Sequence, residues 1–277
     1  MPDQYHLIVD KPNKRVKLLR YRPEDLDALH AEMERIALAD RLTKCIVYAA
    51  RADVEKLQSL GYTLEGRIDG FYLGRNAYMM ARFLSEERAA SAAAELAEEV
   101  LQASLAKAKA GTPAASGLPD GYRQRDAVEA DAEELARLYG IVFATYPTPM
   151  DDPAYVRKTM QENTYYTVVE CGGKIVCAAS AEVSPEYGSV EFTDCATHPD
   201  HLGRGLLQPL FYTLEAKMEQ MGIYYLYTLT RAQSHGMNIT AAKHGFTYRG
   251  RLINNCTIYS GFEDMNIWVK PLRPSHD

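Results

Sequence analysis

Residues 194–207 read Asp-Cys-Ala-Thr-His-Pro-Asp-His-Leu-Gly-Arg-Gly-Leu-Leu, and this stretch decides the fold. A run typical of a strand leads through a short turn into Gly203 and Gly205, and an amphipathic helix follows. The first backbone N–H groups of such a helix have no partner within the helix, and they lie at the positive end of its dipole. Glycine leaves room for an anion to approach them. The stretch therefore predicts a turn that binds a phosphate or diphosphate group.

The residues around this turn alternate between strand-like and helix-like patterns. Helices are predicted over residues 131–144, 206–221 and 237–244, and the second has apolar residues at helical spacing. Strands are predicted over residues 122–128, 164–170, 174–183, 189–197, 223–230, 246–253 and 265–270. The pattern predicts an α/β domain of the α+β type, with a mixed central sheet, over residues 122–272, followed by a tail at 273–277.

The segment before this domain, residues 85–121, is expected to be a helix followed by a linker. Ala, Glu, Leu and Lys, which favour helices, dominate residues 85–110, and residues 111–121 are rich in turn-forming residues. Apolar residues recur in the helix near helical spacing, so we expect it to pack against the protein. They are Leu96, Val100, Leu101 and Leu105.

A similar sequence occurs once in each half of the chain. Residues 61–68 read Gly-Tyr-Thr-Leu-Glu-Gly-Arg-Ile and residues 245–252 read Gly-Phe-Thr-Tyr-Arg-Gly-Arg-Leu, at a constant separation of 184 positions. Two interpretations are open. Either the two strand-turn-strand units share only their turn chemistry, or residues 1–84 form a smaller α/β domain that is a degenerate partial copy of the C-terminal one. Such a copy lacks the phosphate-binding turn, so it would serve packing or substrate enclosure.

The composition indicates which classes of ligand the protein can bind and which cellular compartment it suits. The 277 residues include 31 Lys and Arg against 37 Asp and Glu, without a basic block, which argues against a nucleic-acid partner and favours a cationic or small polar ligand. No apolar run approaches the ~20 residues that span a bilayer, and no signal-peptide pattern is visible, so no membrane partner is expected. The five cysteines lack metal-ligand spacing and are expected to be free thiols in a reducing, cytoplasmic setting, without a bound metal. They are Cys45, Cys171, Cys177, Cys195 and Cys256.

At the turn the chain resembles the GNAT superfamily of acetyl-CoA-dependent N-acetyltransferases, whose turn reads Gln/Arg-x-x-Gly-x-Gly/Ala. The similarity covers residues 122–270 and implies the GNAT fold and acetyl-CoA as co-substrate. Asp200 replaces the usual Gln or Arg, and Leu202 stands where a second Arg is common. His201, Arg204 and the backbone amides must therefore hold more of the diphosphate. The residues that the resemblance assigns to acetyl-CoA are Cys195, Ala196, Thr197, His201, Leu202, Gly203, Arg204, Gly205, Leu206, Leu207 and Ser234.

Within the superfamily, residues 234–240, 252–256 and 261–268 are similar to the β-lysine N6-acetyltransferases, as is the additional N-terminal segment. Those enzymes acetylate the terminal amine of 3,6-diaminohexanoate and give a neutral compatible solute that serves osmoadaptation. The resemblance implies that reaction, with a small-molecule amine as partner, and a homodimer is left open. Two alternatives remain: acetylation of another amine (a polyamine, an aminoglycoside or a protein lysine), or a non-catalytic acyl-CoA sensor.

A general base is expected, because the acceptor must lose a proton before it attacks. An alkyl ammonium with a pKa near 10.4 costs roughly 4.6 kcal/mol to deprotonate at pH 7. Glu191 and Asp194 precede the turn and are the candidates, one as base or water relay and the other as ammonium ligand. Three positions apart on a strand, they face opposite sides of the sheet unless a bulge intervenes, and strands of this superfamily bulge here. The competing interpretation is that either one is a solvated surface residue.

The remaining groups of the reaction are less defined. Backbone N–H groups of residues 195–197 would stabilise the oxyanion of the attacked thioester. Cys195 is interpreted as a structural thiol, because direct amine attack needs no covalent intermediate and no histidine lies close in sequence to activate it. Many superfamily members place a Tyr four residues before the Gly-Phe pair, but here that position is Ala241. Ser234, Tyr248 or water is left to protonate the leaving thiolate.

Recognition of a diamino acid needs acceptors for ammonium groups. A polar cluster that interrupts the C-terminal strands is a candidate, because polar groups are costly to bury without partners. Ordinary hairpin chemistry is the alternative. The cluster consists of Asn254, Asn255, Glu263, Asp264 and Asn266. Tyr146, in the Tyr-Pro-Thr-Pro run of residues 146–149, is expected on a loop over the acceptor cleft, unless that run is a plain connector.

Overall fold

A computed structural model describes residues 5–109, 117–143, 148–258 and 261–276. Within these ranges, twelve strands form one sheet and eight α-helices pack on it. The strands are β1 His6–Asp10, β2 Arg15–Arg20, β3 Lys44–Ala49, β4 Thr63–Tyr72, β5 Arg75–Phe83, β6 Tyr122–Asp126, β7 Thr164–Cys171, β8 Lys174–Ser184, β9 Ser189–Thr197, β10 Tyr225–Arg231, β11 Thr247–Ile258 and β12 Gly261–Pro271. The helices are α1 Leu26–Asp40, α2 Val54–Ser59, α3 Glu86–Ala89, α4 Ala94–Lys109, α5 Ala132–Val142, α6 Pro153–Gln161, α7 Leu207–Gln220 and α8 His235–Lys243.

The sheet is mixed, and its strands run in the order β1-β2-β3-β5-β4-β11-β12-β10-β9-β8-β7-β6. Two pairs are parallel, β2 with β3 and β9 with β10. The other pairs are antiparallel. Because a parallel pair needs a crossover connection, α1 joins the first pair and α7 joins the second. The C-terminal strands β6 to β12 therefore form the mixed sheet that was predicted.

Helices cover both faces of the C-terminal part of the sheet. On one face, residues of α4, α7 and α8 share a core with the strands, and Phe211 of α7 packs against Phe192 of β9. On the other face, α5 and α6 pack through Leu135 and Val156. In the N-terminal part, α1 and α2 cover one face. The opposite face packs against apolar strand residues from the C-terminal half, so the two halves share a core.

The predicted elements nearest the turn agree best with the structure. Strand β9 spans the residues predicted for it, and α7 begins and ends within one residue of the predicted helix. Helix α6 was not predicted, although the sequence carries a start signal for it. The Asp152 side chain accepts a hydrogen bond from the Ala154 N–H at 2.9 Å, and Pro153 occupies the first helical position.

The helix predicted over residues 85–110 is divided into α3 and α4, so the prediction of one continuous helix is wrong. The Asn254 side chain donates hydrogen bonds to the carbonyl oxygens of Arg88 at 3.1 Å and Ala90 at 2.9 Å. Ala90 has an extended conformation, with φ −97° and ψ 113°, and these contacts with β11 hold the chain there outside a helix. Helix α4 does pack on the core, as expected, through Val100 and Leu101, but Leu96 is exposed.

The similar sequences at residues 61–68 and 245–252 belong to two series of strands and helices that follow one another in the same order. The series β2-α1-β3-α2-β4-β5 and β9-α7-β10-α8-β11-β12 have the same succession of elements and the same order of neighbouring strands. The two series meet where Gly66 of β4 pairs with Gly250 of β11, which are also 184 positions apart. A Cβ on Gly250 would lie 2.2 Å from the Glu65 carbonyl oxygen, so only glycine fits there. The partial-copy interpretation agrees with this order and stays a prediction, as do the domain boundaries.

The sheet curls so that its N-terminal edge reaches the turn between β8 and β9. His6 of β1 hydrogen-bonds the Tyr187 hydroxyl at 2.7 Å, and Arg20 of β2 forms an ion pair with Glu186 at 2.5 Å. The halves are also joined at the centre, where the buried Lys44 ammonium contacts Glu65 at 2.9 Å and donates to the Ile253 carbonyl oxygen at 2.7 Å. Strand β2 is thereby held close to β8 and β9.

Candidate active site

Strands β9 and β10 separate after a short parallel contact. They pair only through Ser189 with Tyr225, Val190 with Leu226 and Glu191 with Tyr227. Beyond Glu191, within the described ranges, β9 has no strand partner on its β10 side. The separation opens a wedge that leads from the middle of the sheet to the start of α7.

A bulge in β9 places both candidate bases in one cavity. Ala178 of β8 pairs with Ala196 and Ser180 pairs with Thr193, so Ala179 alone faces the two residues Asp194 and Cys195. Asp194 takes a positive φ of 49° at this bulge. The bulge shifts the alternation of side chains between the two faces of β9. Asp194 and Glu191 therefore both line the cavity beside the wedge.

Three carboxyl groups form an acidic wall in this cavity: Glu182, Glu191 and Asp194. Glu182 pairs directly with Glu191 across β8 and β9, and the Ser180 hydroxyl donates to Asp194 at 2.8 Å. Burial, together with the nearby Glu182 charge, raises the pKa of Glu191 to about 8, against the opposing effects of a Tyr227 hydrogen bond and the Lys17 charge. Among the described residues, no lysine or arginine forms an ion pair with Glu182 or Glu191. The wall therefore suits a cationic ligand.

The cavity has a volume of about 460 Å³ and lies between the two halves of the chain. Its aromatic lining includes Tyr155 of α6 and Tyr166 of β7, which sequence reasoning missed. Burial first, and then the charge of Asp194, raises the pKa of both phenols. Both hydroxyls are therefore protonated at neutral pH and can donate hydrogen bonds near Asp194. Tyr166 also shares a hydrogen bond of 2.8 Å with Thr159.

The N-terminal half contributes a second group of charges that sequence reasoning did not identify. Arg15 and Lys17 of β2 line the cavity together with Asp10. Arg15 donates to Asp10 at 2.7 Å and to the Asn255 carbonyl oxygen at 2.9 Å. The available signal was the run Arg15–Arg20, in which charges at alternate positions of an apolar strand share one face.

The turn before α7 has the geometry that a diphosphate requires. Gly203 and Gly205 have positive φ values of 74° and 71°, and a Cβ on either would have no neighbouring atom within 4 Å. Leu206 is the N-cap residue of α7, and no side chain caps the helix there. The first amides of α7 therefore remain available to an anion next to open space. These residues fit the coenzyme that the sequence implies.

Cations and polar groups surround this turn. His201 hydrogen-bonds the Tyr122 hydroxyl at 2.8 Å, and the Arg204 guanidinium lies 5.7 Å from the centre of the Tyr122 ring. Leu202 is exposed, Leu206 is buried in the core and Leu207 packs beside it. Of the predicted coenzyme residues, His201 and Arg204 thus offer positive or hydrogen-bonding groups, and Leu206 and Leu207 anchor the helix.

The predicted coenzyme residues on β9 lie along the wedge. Ala196 packs in the core under α5, and the Thr197 hydroxyl contacts the Cys177 thiol at 3.2 Å. The Cys195 thiol lies 3.4 Å from the Thr193 carbonyl oxygen. Burial and the neighbouring Asp194 charge raise the Cys195 pKa well above its usual value, so the reactive thiolate is disfavoured. This geometry supports the interpretation of Cys195 as a structural thiol.

The candidate proton donors lie apart from the acidic wall. Tyr248 packs against Trp268 with ring centres 5.7 Å apart, and it does not line the cavity. Ser234 is the N-cap residue of α8, and its side chain makes no capping hydrogen bond. Ala241 is fully buried in the core between α8 and the sheet. Neither Ser234 nor Tyr248 lines the cavity, so Ser234, Tyr248 and water all remain candidates for the acid.

The polar cluster of the C-terminal strands is mostly structural. The Asn254 side chain donates a hydrogen bond to a backbone carbonyl oxygen of α3. The Asp264 carboxylate accepts a hydrogen bond from the Asn254 backbone N–H at 2.7 Å. Glu263 accepts two hydrogen bonds of 2.8 Å from Arg231, which itself lines the cavity. Asn266 donates to Asn238 at 2.8 Å inside the core.

Only Asn255 of this cluster lines the cavity directly. Its side-chain oxygen is buried and has no hydrogen-bond partner among the described residues. Asn254, Glu263 and Asp264, which were predicted to contact the substrate, are instead placed outside the cavity lining. Tyr146 lies outside the described residues.

Three further features concern metal-binding groups, cysteines and membrane-spanning helices over all of the described residues. No group of three or more His, Cys, Asp or Glu side chains in these ranges is arranged to hold a metal ion. All five cysteines are free thiols. No helix of the described ranges is long and apolar enough to cross a membrane.

Comparison with known proteins agrees with this fold. Residues 132–246 match the Acetyltransferase (GNAT) family, a range that contains β9, the wedge and the turn before α7. The chain belongs to the GNAT family of acetyltransferases. It is therefore an N-acetyltransferase that uses acetyl-CoA as co-substrate and an amine as acceptor.

Three curated relatives match nearly the full chain. The N-acetyltransferase YodP of Bacillus subtilis (strain 168) is 39% identical over 264 residues, which cover 94% of this chain and 93% of that protein. The beta-lysine N(6)-acetyltransferase of Methanococcus maripaludis is 35% identical, covering 93% of each protein. The enzyme of the same name from Methanosarcina mazei is 34% identical, covering 87% of this chain and 95% of that protein. These matches include the N-terminal half as well as the GNAT region.

Proposed function

We propose that the enzyme acetylates the terminal amine of a small diamino acid, and that this acid is β-lysine (3,6-diaminohexanoate). The observation that carries the proposal is the distribution of charge in the cavity. The three carboxyl groups of the acidic wall lie beside the wedge, and Lys17 lies on the wall formed by the N-terminal half. A diamino acid carries the complementary charges. The names of two relatives, both beta-lysine N(6)-acetyltransferases, support the particular substrate.

The size of the cavity also favours a small acceptor. Its volume of about 460 Å³ lies in the range typical of small-molecule sites. It is bounded by strands of both halves, by α6 and by aromatic rings, which suits a free metabolite better than a segment of a folded protein.

In the proposed reaction, the acidic wall binds the terminal ammonium and then takes its proton. Glu191 has a pKa near 8, so it is a stronger base than an ordinary carboxylate and still ionises near neutral pH. Asp194, fixed by Ser180, holds the ammonium or relays its proton through water. Both carboxyl groups line the same cavity, and the raised pKa favours Glu191 as the base.

The acetyl group comes from the thioester of acetyl-CoA, whose diphosphate the amides at the start of α7 would bind. The neutral amine nitrogen forms a bond to the thioester carbonyl carbon, the C–S bond breaks, and the sulfur leaves as a thiolate. The attacking nitrogen then loses its second proton, and the thiolate takes up one proton, which leaves a neutral amide and a free thiol. The chain's part is to hold the amine, accept its proton and present backbone N–H groups of the free β9 edge to the developing oxyanion. No covalent enzyme intermediate is required.

The second amine of the acceptor has a candidate partner in Asn255. The amide oxygen of Asn255 is a buried acceptor without a hydrogen bond, which is costly unless a ligand supplies a donor. An ammonium group is such a donor. The product would keep one ammonium and one carboxylate, so its net charge would be zero, as suits a compatible solute.

Acetyl transfer to a panel of amines tests this proposal. Purified protein is mixed with acetyl-CoA and 3,6-diaminohexanoate, lysine, or a polyamine such as spermidine, and the released thiol is followed. We expect the highest kcat/KM with 3,6-diaminohexanoate, and NMR of the product should place the acetyl group on N6. Turnover confined to polyamines would reject a diamino acid as substrate. Acetyl-CoA binding without turnover on any amine would favour the sensor alternative.

A further inference from the structure

Lys17 is a cation of the cavity that takes no part in the proposed proton transfer. It lies on β2, on the same face as Arg15, and its neighbour across the sheet is Ile46 of β3. Val16 and Leu18, on the opposite face, are buried under α1 and α2. Side chains of β2 alternate between the two faces of the sheet, so Lys17 lies on the face opposite α1 and α2. That face is directed toward the C-terminal half.

Within the described ranges, Lys17 forms neither an ion pair nor a hydrogen bond, in contrast to its neighbour. Arg15 is engaged by Asp10 and by the Asn255 carbonyl oxygen, at 2.7 and 2.9 Å. Glu191 lies near enough for its charge to favour the charged form of Lys17, but the two groups form no ion pair. A gap therefore separates the Lys17 ammonium from the acidic wall.

An enclosed cation without a partner is unfavourable in the free protein. Burial, and then the charge of Arg15, lowers the pKa of Lys17. A bound anion would reverse both effects, because it restores the solvation that burial removes and offsets the repulsion from Arg15. The position thus suits an anionic group of a ligand that also reaches the acidic wall.

We propose that Lys17 binds the carboxylate of the acceptor, so that the N-terminal half selects amino acids over simple diamines. This inference rests on the proposed function, since it concerns the same acceptor. Lys17 is a specificity residue of the binding site, and it takes no part in the proton transfer. Arg15 acts as a positioning residue, because its bonds to Asp10 and β11 hold β2 against the cavity.

The experiment compares two acceptors that differ only in this charge, 3,6-diaminohexanoate and its primary amide, 3,6-diaminohexanamide. For the native enzyme we expect kcat/KM to be roughly 10- to 100-fold higher for the acid than for the amide, the range given by a hydrogen-bonded charge pair. In Lys17→Met the acid should lose that advantage, and the amide should react about as well as with the native enzyme. Lys17→Arg should keep most of the preference for the acid.

Lys11→Met is the matched control. Lys11 lies in the turn that follows β1, is exposed, and pairs with Asp40 at 3.0 Å away from the cavity, so its removal should leave the acid-to-amide ratio unchanged. Circular dichroism and thermal unfolding check that each variant is folded.

The possible outcomes separate this inference from the proposed function. If the native enzyme acetylates acid and amide equally well, or if Lys17→Met lowers both rates by the same factor, the role of Lys17 is overturned and the diamino acid substrate stands. If the native enzyme acetylates neither compound, the proposed function itself fails.

Discussion

Replacing Glu191 by Gln is expected to lower kcat/KM for the acceptor by a factor of about 10² to 10⁴, the usual contribution of a general base. The glutamine keeps the size of the side chain and its hydrogen bond with Tyr227, but it cannot accept a proton. Asp194 and Glu182 remain in the cavity, so the ammonium can still bind. We therefore expect kcat to fall much more than KM rises, as measured by thiol release.

The pH dependence gives this prediction a specific signature. Burial raises the pKa of Glu191 to about 8, and the base works only when it is deprotonated. For the native enzyme, kcat/KM should therefore rise about tenfold per pH unit below pH 8 and level off above it. In Glu191→Gln this rising limb should disappear.

Two variants test alternative explanations. Glu219→Gln removes an exposed carboxylate near the end of α7, outside the cavity lining, and should leave both rate and pH profile unchanged. Asp194→Asn should weaken the reaction but retain the ionisation near pH 8. If instead Asp194→Asn abolishes that ionisation and Glu191→Gln retains it, the two carboxylates have the reverse roles.

Replacing Gly203 by Glu should abolish detectable binding of acetyl-CoA, a loss of roughly 100-fold or more in affinity by calorimetry. The new side chain would stand in the open space before α7, where the amides are expected to meet the diphosphate. Its carboxylate would compete for those amides and repel the phosphates. Loss of binding should leave the circular dichroism spectrum unchanged.

A matched glycine at the other end of α7 controls for backbone strain. Gly222 has a φ of 76°, against 74° for Gly203, and a Cβ there would also meet no atom within 4 Å. Gly222→Glu therefore carries a similar conformational cost without touching the coenzyme site. We expect it to bind acetyl-CoA with native affinity. Retained affinity in Gly203→Glu, or equal losses in both variants, would contradict the proposed role of the turn.

The sequence predicted the coenzyme turn well because its determinants are local. The strand, the two glycines and the amphipathic helix follow one another within residues 189–221, and the structure has β9 and α7 at those positions. From the sequence, Glu191 and Asp194 were expected to share a cleft only if a bulge lay between them, but the position of that bulge was not predicted. Its position depends on pairing with β8, which the sequence of β9 alone does not fix.

The acceptor cavity was predicted less well because its walls are remote in sequence. Lys17 and Glu191 are brought together by the curl of a twelve-stranded sheet, a long-range property that local patterns do not contain. Asn254 and Asp264 were assigned to the substrate because polar residues in a strand are costly when buried. In the structure, this cost is offset by hydrogen bonds with the backbone and side chains around α3. The sequence did not reveal these partners, because residues 85–110 were predicted to form one uninterrupted helix.

A crystal structure of the enzyme with coenzyme A and 3,6-diaminohexanoate tests the coenzyme site and the acceptor cavity together. We expect the diphosphate on the amides of residues 203–207, the 6-amine beside Glu191 and Asp194, and the carboxylate on Lys17. Density for the coenzyme away from the turn, with the wedge between β9 and β10 closed, would contradict this arrangement.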